Sequence, residues 1–172
     1  MKRVMVVGGP GSGKSTFARR LGDLTGLPVY HMDQIHWLPG WVERPKPDKL
    51  AMAGEVEARD EWIFEGGLSA TYPNRSARAD VIVWLDVGLA LRIWRVFARA
   101  LRYRGETRPD LPEGCPDQFG PEFIGLIRYM VRFRKINDRR FAALGVENPG
   151  KFVHLRGKRA ANRWLSERVR SG

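Results

Sequence analysis

The sequence predicts an α/β fold, a parallel sheet covered by helices on both faces. Three observations carry this. Short apolar, β-branched runs recur along the chain. Helical patterns of about ten residues or more separate most of them. The first run empties into a glycine-rich turn that opens a helix. The 172 residues suit a single domain with one core, so 1–172 is read as one unit.

Each element follows from its local pattern. Val-Met-Val-Val at 4–7 is a buried first strand; as the apolar part of a signal peptide it is too short, and glycines follow at once. The stretch 15–24 is a helix with Phe17, Ala18, Leu21 and Leu24 on one side. Further strands are expected at 28–31, 62–64, 81–85 and 152–155. Helical patterns lie around 48–59, 89–103, 121–144 and 159–169. Two stretches break the rhythm. Residues 33–47 carry Trp37, Pro39, Gly40, Trp41, Pro45 and Pro47, and residues 103–120 are rich in Gly, Pro and Arg. Ordered loops of that length usually bind something or close over it.

Composition sets outer limits. Hydrophobic residues make up 43%, too many for a disordered chain. No apolar run approaches the ~20 residues that span a bilayer, so no membrane is expected. One cysteine, Cys115, excludes an intrachain disulfide, and a cytoplasmic location is expected. Cys115 has no CxxC partner, and His31, His36 and His154 lack metal-ligand spacing, so zinc is not expected. The formal charge of +11 favours an anionic partner without choosing among nucleic acid, an acidic surface and a phosphorylated small molecule.

The most specific motif is Gly8-Gly9-Pro10-Gly11-Ser12-Gly13-Lys14-Ser15, followed by Thr16, which matches G-x-x-x-x-G-K-[ST] in full. The glycines let backbone N–H groups turn onto phosphates. The helix opening at Lys14 adds its positive end. Lys14 supplies an ammonium for the β and γ phosphates, and Ser15 a hydroxyl for Mg²⁺. A nucleoside triphosphate, ATP with Mg²⁺, is the expected ligand. A second acid must support the metal. Asp33, Glu65 and Asp86 all end predicted strands, and pattern alone does not choose among them.

Arg92, Arg95, Arg99 and Arg102 recur at helical spacing and share a face, with Leu91, Trp94, Phe97, Ala98 and Leu101 expected to form an opposing apolar stripe. Arg104, Arg108, Arg128, Arg132, Arg134 and Lys135 follow. A set like this suits a lid that neutralises a transferring phosphoryl group. Basic residues interleaved with Trp94, Phe97, Tyr103, Tyr129 and Phe133 also suit a nucleic-acid groove, although helical spacing points most of these rings to a core.

These residues resemble the P-loop nucleoside monophosphate kinase group, which includes adenylate and shikimate kinases. The resemblance is nearer to bacterial DNA topology modulation proteins and adenylate kinase-like P-loop ATPases. It is carried by Gly8–Ser15, His31-Met32-Asp33 with Trp37-Leu38-Pro39-Gly40-Trp41, Trp62-Ile63-Phe64-Glu65-Gly66, Tyr103-Arg104-Gly105-Glu106-Thr107-Arg108-Pro109 and Glu113-Gly114-Cys115-Pro116. It implies a three-layer α/β/α P-loop NTPase fold with a five-stranded sheet of order 2-3-1-4-5. It also implies an acceptor-binding segment at about 33–60 and an arginine-rich lid at about 100–135. Glu65-Gly66 falls where an acid before glycine supports magnesium. Asp33 falls where an acid orients the acceptor hydroxyl, Arg92, Arg95 and Arg99 where arginines contact phosphates, and Arg156-Gly157-Lys158 where the chain wraps adenine. The acceptor motif of adenylate kinases, Asp-Gly-Phe-Pro-Arg, is replaced here by Glu65-Gly66-Gly67-Leu68-Ser69. The expected activity is transfer of the γ-phosphate of ATP to a small-molecule or nucleotide acceptor, with catalytic Lys14, Asp33, Arg92, Arg95 and Arg99. The alternative is a nucleic-acid-associated ATPase.

Overall fold

The computed structural model describes residues 1–117 and 119–169. In chain order the elements are β1 (Arg3–Val7), α1 (Lys14–Thr25), β2 (Val29–His31), α2 (Met32–His36), β3 (Trp37–Leu38), β4 (Val42–Glu43) and α3 (Lys46–Ala58). Then come β5 (Trp62–Glu65), α4 (Tyr72–Arg78), β6 (Val81–Asp86), α5 (Leu89–Arg102), α6 (Pro121–Arg132), α7 (Arg134–Glu147), β7 (Phe152–Arg156) and α8 (Gly157–Val169). The main sheet runs β2-β5-β1-β6-β7, every pair parallel. Leaving out the small antiparallel β3–β4 hairpin, this is the expected order 2-3-1-4-5.

Side chains alternate across the sheet and divide the core in two. Met5, Val7, Phe64, Ile82 and Trp84 pack on one face against Ala53, Val56, Tyr72, Phe141 and Leu144 of α3, α4 and α7. Val4, Val6, Ile63, Val83 and Leu85 pack on the other face against Phe17, Ala18 and Leu21 of α1 and Trp164 and Leu165 of α8. Both layers are dry: Val4 to Val7, Trp62 to Phe64, Ile82 and Val83 have no exposed surface. The carboxyl ends of β1, β2 and β5 converge, with Glu65 opposite both Val6 and His31. Ligands of open parallel sheets bind at that edge.

Three elements differ from expectation. The helix expected across 121–144 is two helices, broken at Phe133 (φ −99°, ψ 4°). Neither Gly nor Pro marks the break. Phe133 keeps its N–H on the Tyr129 carbonyl and accepts from Asn137, so the chain turns without losing backbone hydrogen bonds. The β3–β4 hairpin and α4 occupy stretches whose patterns are too short to show periodicity. Finally, α5 presents its faces the other way round. Arg92 is buried, whereas Leu91, Trp94, Phe97 and Leu101 are exposed, Trp94 by 62%. The inner face of α5 rests on carbonyl oxygens of the glycine-rich turn rather than on apolar sheet, and those carbonyls need donors.

Candidate functional site

The turn 8–13 joins β1 to α1, and left-handed Gly13 (φ 93°) immediately precedes Lys14. Such a turn leaves the first N–H groups of α1 free to meet an anion. Gly11 holds φ +75° against the first turn of α5; a Cβ there would lie 2.4 Å from the Arg92 carbonyl oxygen. Ser12 is buried beneath the turn. Lys14 and Ser15 are half-exposed and Thr16 is exposed.

The arginines of α5 bind this turn from behind. Arg92 Nε donates to the Pro10 carbonyl at 2.9 Å, and its guanidinium occupies the space a Cβ on Gly9 would take. Arg95 Nη1 donates to the Ser12 and Gly11 carbonyls at 3.2 and 3.4 Å. Burial holds the Arg92 guanidinium below the usual arginine range. Arg99 lies further along the helix, 3.4 Å from Asp117 Oδ2. Arg92 and Arg95 thus form the back wall of the turn, while Arg99 belongs to a charge cluster described below.

The three candidate acids separate. Asp86 accepts from His154 Nε2 at 3.0 Å, and that imidazole stacks flat on Trp84, centroids 4.0 Å apart. Glu65 is 1% exposed and its Oε1 sits 2.7 Å from His31 Nδ1. Burial opposes its ionisation, but His31, Lys14 and the nearby Ser15 hydroxyl outweigh burial and hold its carboxyl below the ordinary range. No well-formed hydrogen bond reaches Glu65 Oε2, which is buried without a partner. Asp33, on α2, is half-buried; its carbonyl accepts from the Trp37 N–H, and its carboxylate makes no hydrogen bond or ion pair among the described residues. Burial raises its carboxyl above the ordinary range, Glu65 and Asp110 push it the same way, and Lys14 and Arg108 oppose them.

Arg75 of α4 was not singled out from the sequence. It is fully buried, donating Nη1 to the Gly66 carbonyl at 3.1 Å and Nη2 to the Phe64 carbonyl at 2.8 Å. It therefore grips the backbone on both sides of Glu65, with its guanidinium 4.3 Å from the Phe64 ring centroid. Burial lowers it to about 10, so it stays charged at neutral pH. Gly66 completes the corner: at φ +112°, a Cβ would fall 2.5 Å from Met32 Cβ. Nothing in a lone arginine of a short helix advertises this role. The Glu65-Gly66 pair is the visible half of the device.

The two long loops dock on each other. Gln34 Nε2 donates to the Pro109 carbonyl at 3.0 Å, Gly40 N–H to Gly114 at 2.8 Å, and Trp41 Nε1 to Pro116 at 3.1 Å. Buried Cys115 points its thiol at the Leu38 carbonyl, 3.2 Å away. Inside this seam Arg108 is buried between two carboxylates, Asp110 and Asp117, each at 2.7 Å. Asp110 also lies 3.7 Å from Arg19 of α1. On the far side of the glycine-rich turn, a hollow of ≈ 260 Å³ is lined by Gly13, Thr16, Arg20, Arg95, Lys158 and Leu165. Gly157 also lines it; the exposed Arg156 does not.

Compared by sequence, the chain matches no protein-family model and no curated protein. Compared by structure, it is similar to shikimate kinase from Acinetobacter baumannii in complex with shikimate (TM-score 0.58, 19% identity, 99% of this chain and 92% of that one). It is also similar to shikimate kinase from Bacteroides thetaiotaomicron (0.56, 18%, 99% and 95%). A gluconokinase from Sinorhizobium meliloti 1021 gives 0.54 at 16% identity, over 99% and 94%. The fold is therefore the one these P-loop kinases have. The narrower likeness to DNA topology modulation proteins is not supported by these comparisons. No described helix is long and apolar enough to cross a membrane.

Proposed function

We propose that the protein is an ATP-dependent phosphotransferase acting on a small-molecule hydroxyl. The observation that supports this best is the meeting of the glycine-rich turn, Lys14 and Ser15 with two acids of opposite tendency, Glu65 buried and Asp33 half-buried. Glu65 is held ionised and Asp33 is pushed toward its protonated form. Titratable neighbours driven apart in this way are a recurring mark of divided chemical roles.

In this reading the triphosphate lies on 8–15, with its base in the hollow beside Lys158. Lys14 holds the β and γ phosphates. The acceptor enters between Asp33 and the docked loops. Its hydroxyl oxygen attacks the γ-phosphorus, the bond from that phosphorus to the β–γ bridging oxygen breaks, and ADP leaves. Asp33 takes the hydroxyl proton; its raised affinity for protons makes it the better base. Arg92 and Arg95 act from behind, fixing the carbonyls of the turn so that its N–H groups face the phosphates. A magnesium ion fits Ser15 and the unpartnered Glu65 Oε2, which are oxygen donors beside the phosphates, and no cluster of three or more His, Cys, Asp or Glu offers a metal site among the described residues. Bound there, Mg²⁺ would shield the phosphate charge.

The test is ATP consumption with and without Mg²⁺. Lys14→Ala is expected to lower turnover by roughly a hundredfold or more while leaving the melting temperature within about 2 °C. Parental turnover in that variant would remove the proposal. The alternative, a nucleic-acid-associated ATPase, keeps one specific observation: exposed Trp94, Phe97 and Tyr129 near exposed Arg102, Arg128 and Arg132. It requires DNA-stimulated hydrolysis that falls steeply with salt.

A further inference from the structure

We infer that the acceptor is an uncharged or cationic hydroxylic molecule, of the polyol, sugar or amino-sugar class, and not a carboxylate or a nucleoside monophosphate. This rests on the phosphotransferase reading above and concerns which molecule enters the same site.

Anionic acceptors are held by unpaired guanidinium or ammonium groups. Beside Asp33, such groups are already engaged. Arg108, the cation of the seam that acts on Asp33, has Nη1 on Asp110 Oδ2 and Nε against Asp117 Oδ2, both at 2.7 Å, and is 7% exposed. Arg99 shares Asp117, Arg19 lies against Asp110, and the His31 ring is bonded to Glu65. Lys14 belongs to the triphosphate. Arg19, Arg99 and Arg108 are each paired with Asp110 or Asp117, and Lys14 is committed to the triphosphate, so an incoming anion finds no unpaired cation there and meets the nucleotide's own charge. To recruit Arg108 it must displace a buried carboxylate and leave that carboxylate unpaired, a large penalty.

The same environment suits hydrogen-bond donors. Asp33 carries carboxylate oxygens that no described residue occupies. Hydroxyl and ammonium groups satisfy such oxygens without disturbing the ion pairs. Trp37 and Trp41, ring centroids 5.4 Å apart and half-buried, follow Asp33 in the docked segment.

The experiment measures ADP release by the full chain with Mg²⁺ and ATP across three panels. These are neutral polyols and hexoses with amino sugars; hydroxylated carboxylic acids; and nucleoside monophosphates. At least one member of the first panel is expected to raise turnover tenfold or more over the acceptor-free rate, and neither anionic panel to do so. Stimulation by an anionic panel, or by no member of the first, overturns the inference. If ATP binds and is slowly hydrolysed in either of those outcomes, the phosphotransferase reading survives; if ATP does not bind at all, that reading fails first. Asp110→Asn frees one contact of Arg108 and is expected to raise stimulation by the carboxylic acids several-fold. An unchanged anion response in folded Asp110→Asn also overturns the inference, because Arg108 would then not be the excluded partner.

Discussion

Gly11→Ala tests the closest contact between the phosphate-binding turn and α5. Gly11 sits at φ +75°, and a Cβ would lie 2.4 Å from the Arg92 carbonyl oxygen, 3.0 Å from its carbon and 3.1 Å from its Cα. Every one of these atoms is backbone, so no side chain can rotate away. A left-handed alanine costs about 1 kcal/mol. Restoring ordinary contact needs a displacement of about 1 Å in the turn or in the start of α5, an overpacking that costs about 1–3 kcal/mol. The sum is roughly 2–4 kcal/mol, which in a chain of this size lowers the melting temperature by about 5–15 °C. Because the displaced atoms carry the N–H groups meant for phosphate, ATP affinity is expected to weaken about ten- to a hundredfold. Thermal unfolding and calorimetric titration with Mg·ATP measure both. Gly13→Ala separates strain from contact: Gly13 is also left-handed (φ +93°), but its nearest neighbour is Arg95 Nη1 at 3.8 Å. If Gly11→Ala melts within about 2 °C of Gly13→Ala, α5 does not bear on the turn as described, and the reasoning fails.

Other outcomes follow from the same geometry. Arg75→Met removes the side-chain donor from the Gly66 carbonyl and the second donor from the Phe64 carbonyl, which keeps its place in the β1–β5 ladder, and is expected to cost about 1–3 kcal/mol in urea unfolding. Arg75→Lys should recover part of the stability yet need several-fold more Mg²⁺ for half-maximal turnover, since one ammonium cannot hold both carbonyls flanking Glu65. Trp94→Ser, on the exposed face of α5, should change stability by about 0.5 kcal/mol or less, whereas Trp62→Ala, with no exposed surface, should cost about 3–5 kcal/mol; comparable losses would restore the inward apolar stripe. For Asp80, partial burial raises the carboxyl slightly, but backbone N–H groups of Lys2 and Arg3 and the Arg3 guanidinium overcome it and hold the folded state below the ordinary 3.8. Parent and Asp80→Asn should therefore differ by about 1 kcal/mol above pH 5, a gap that closes as pH falls through the folded-state value. A gap that widens in acid would reverse the sign of that coupling.

The sheet was legible in the sequence because its strands are short runs rich in β-branched and aromatic residues, separated by helical patterns. The strand order came from the family resemblance, and the sheet has that order. The glycine-rich turn between β1 and α1 was legible for the same reason: it is local, eight consecutive residues long. What escaped was whatever depends on a partner distant in sequence. The arginine spacing of α5 correctly grouped Arg92, Arg95 and Arg99 on one face, but it could not say that this face meets carbonyls of 10–12, and so the aromatic face was turned inward. Arg75 escaped because its partners are backbone atoms, which carry no sequence signature. Asp110 and Asp117 escaped because Gly and Pro hide any periodicity in 103–117, although the two aspartates neutralise buried Arg108.

The seam between Gln34–Trp41 and Pro109–Pro116 has a consequence for how molecules come and go. Four contacts tie the two segments, so under the proposed function they would have to move as one body. Arg108 and its carboxylates would travel with them, and acceptor entry and the placing of that charge would be one movement. A mutation that loosens the seam would alter which molecules are admitted and how fast products depart, without touching a single atom that handles phosphate.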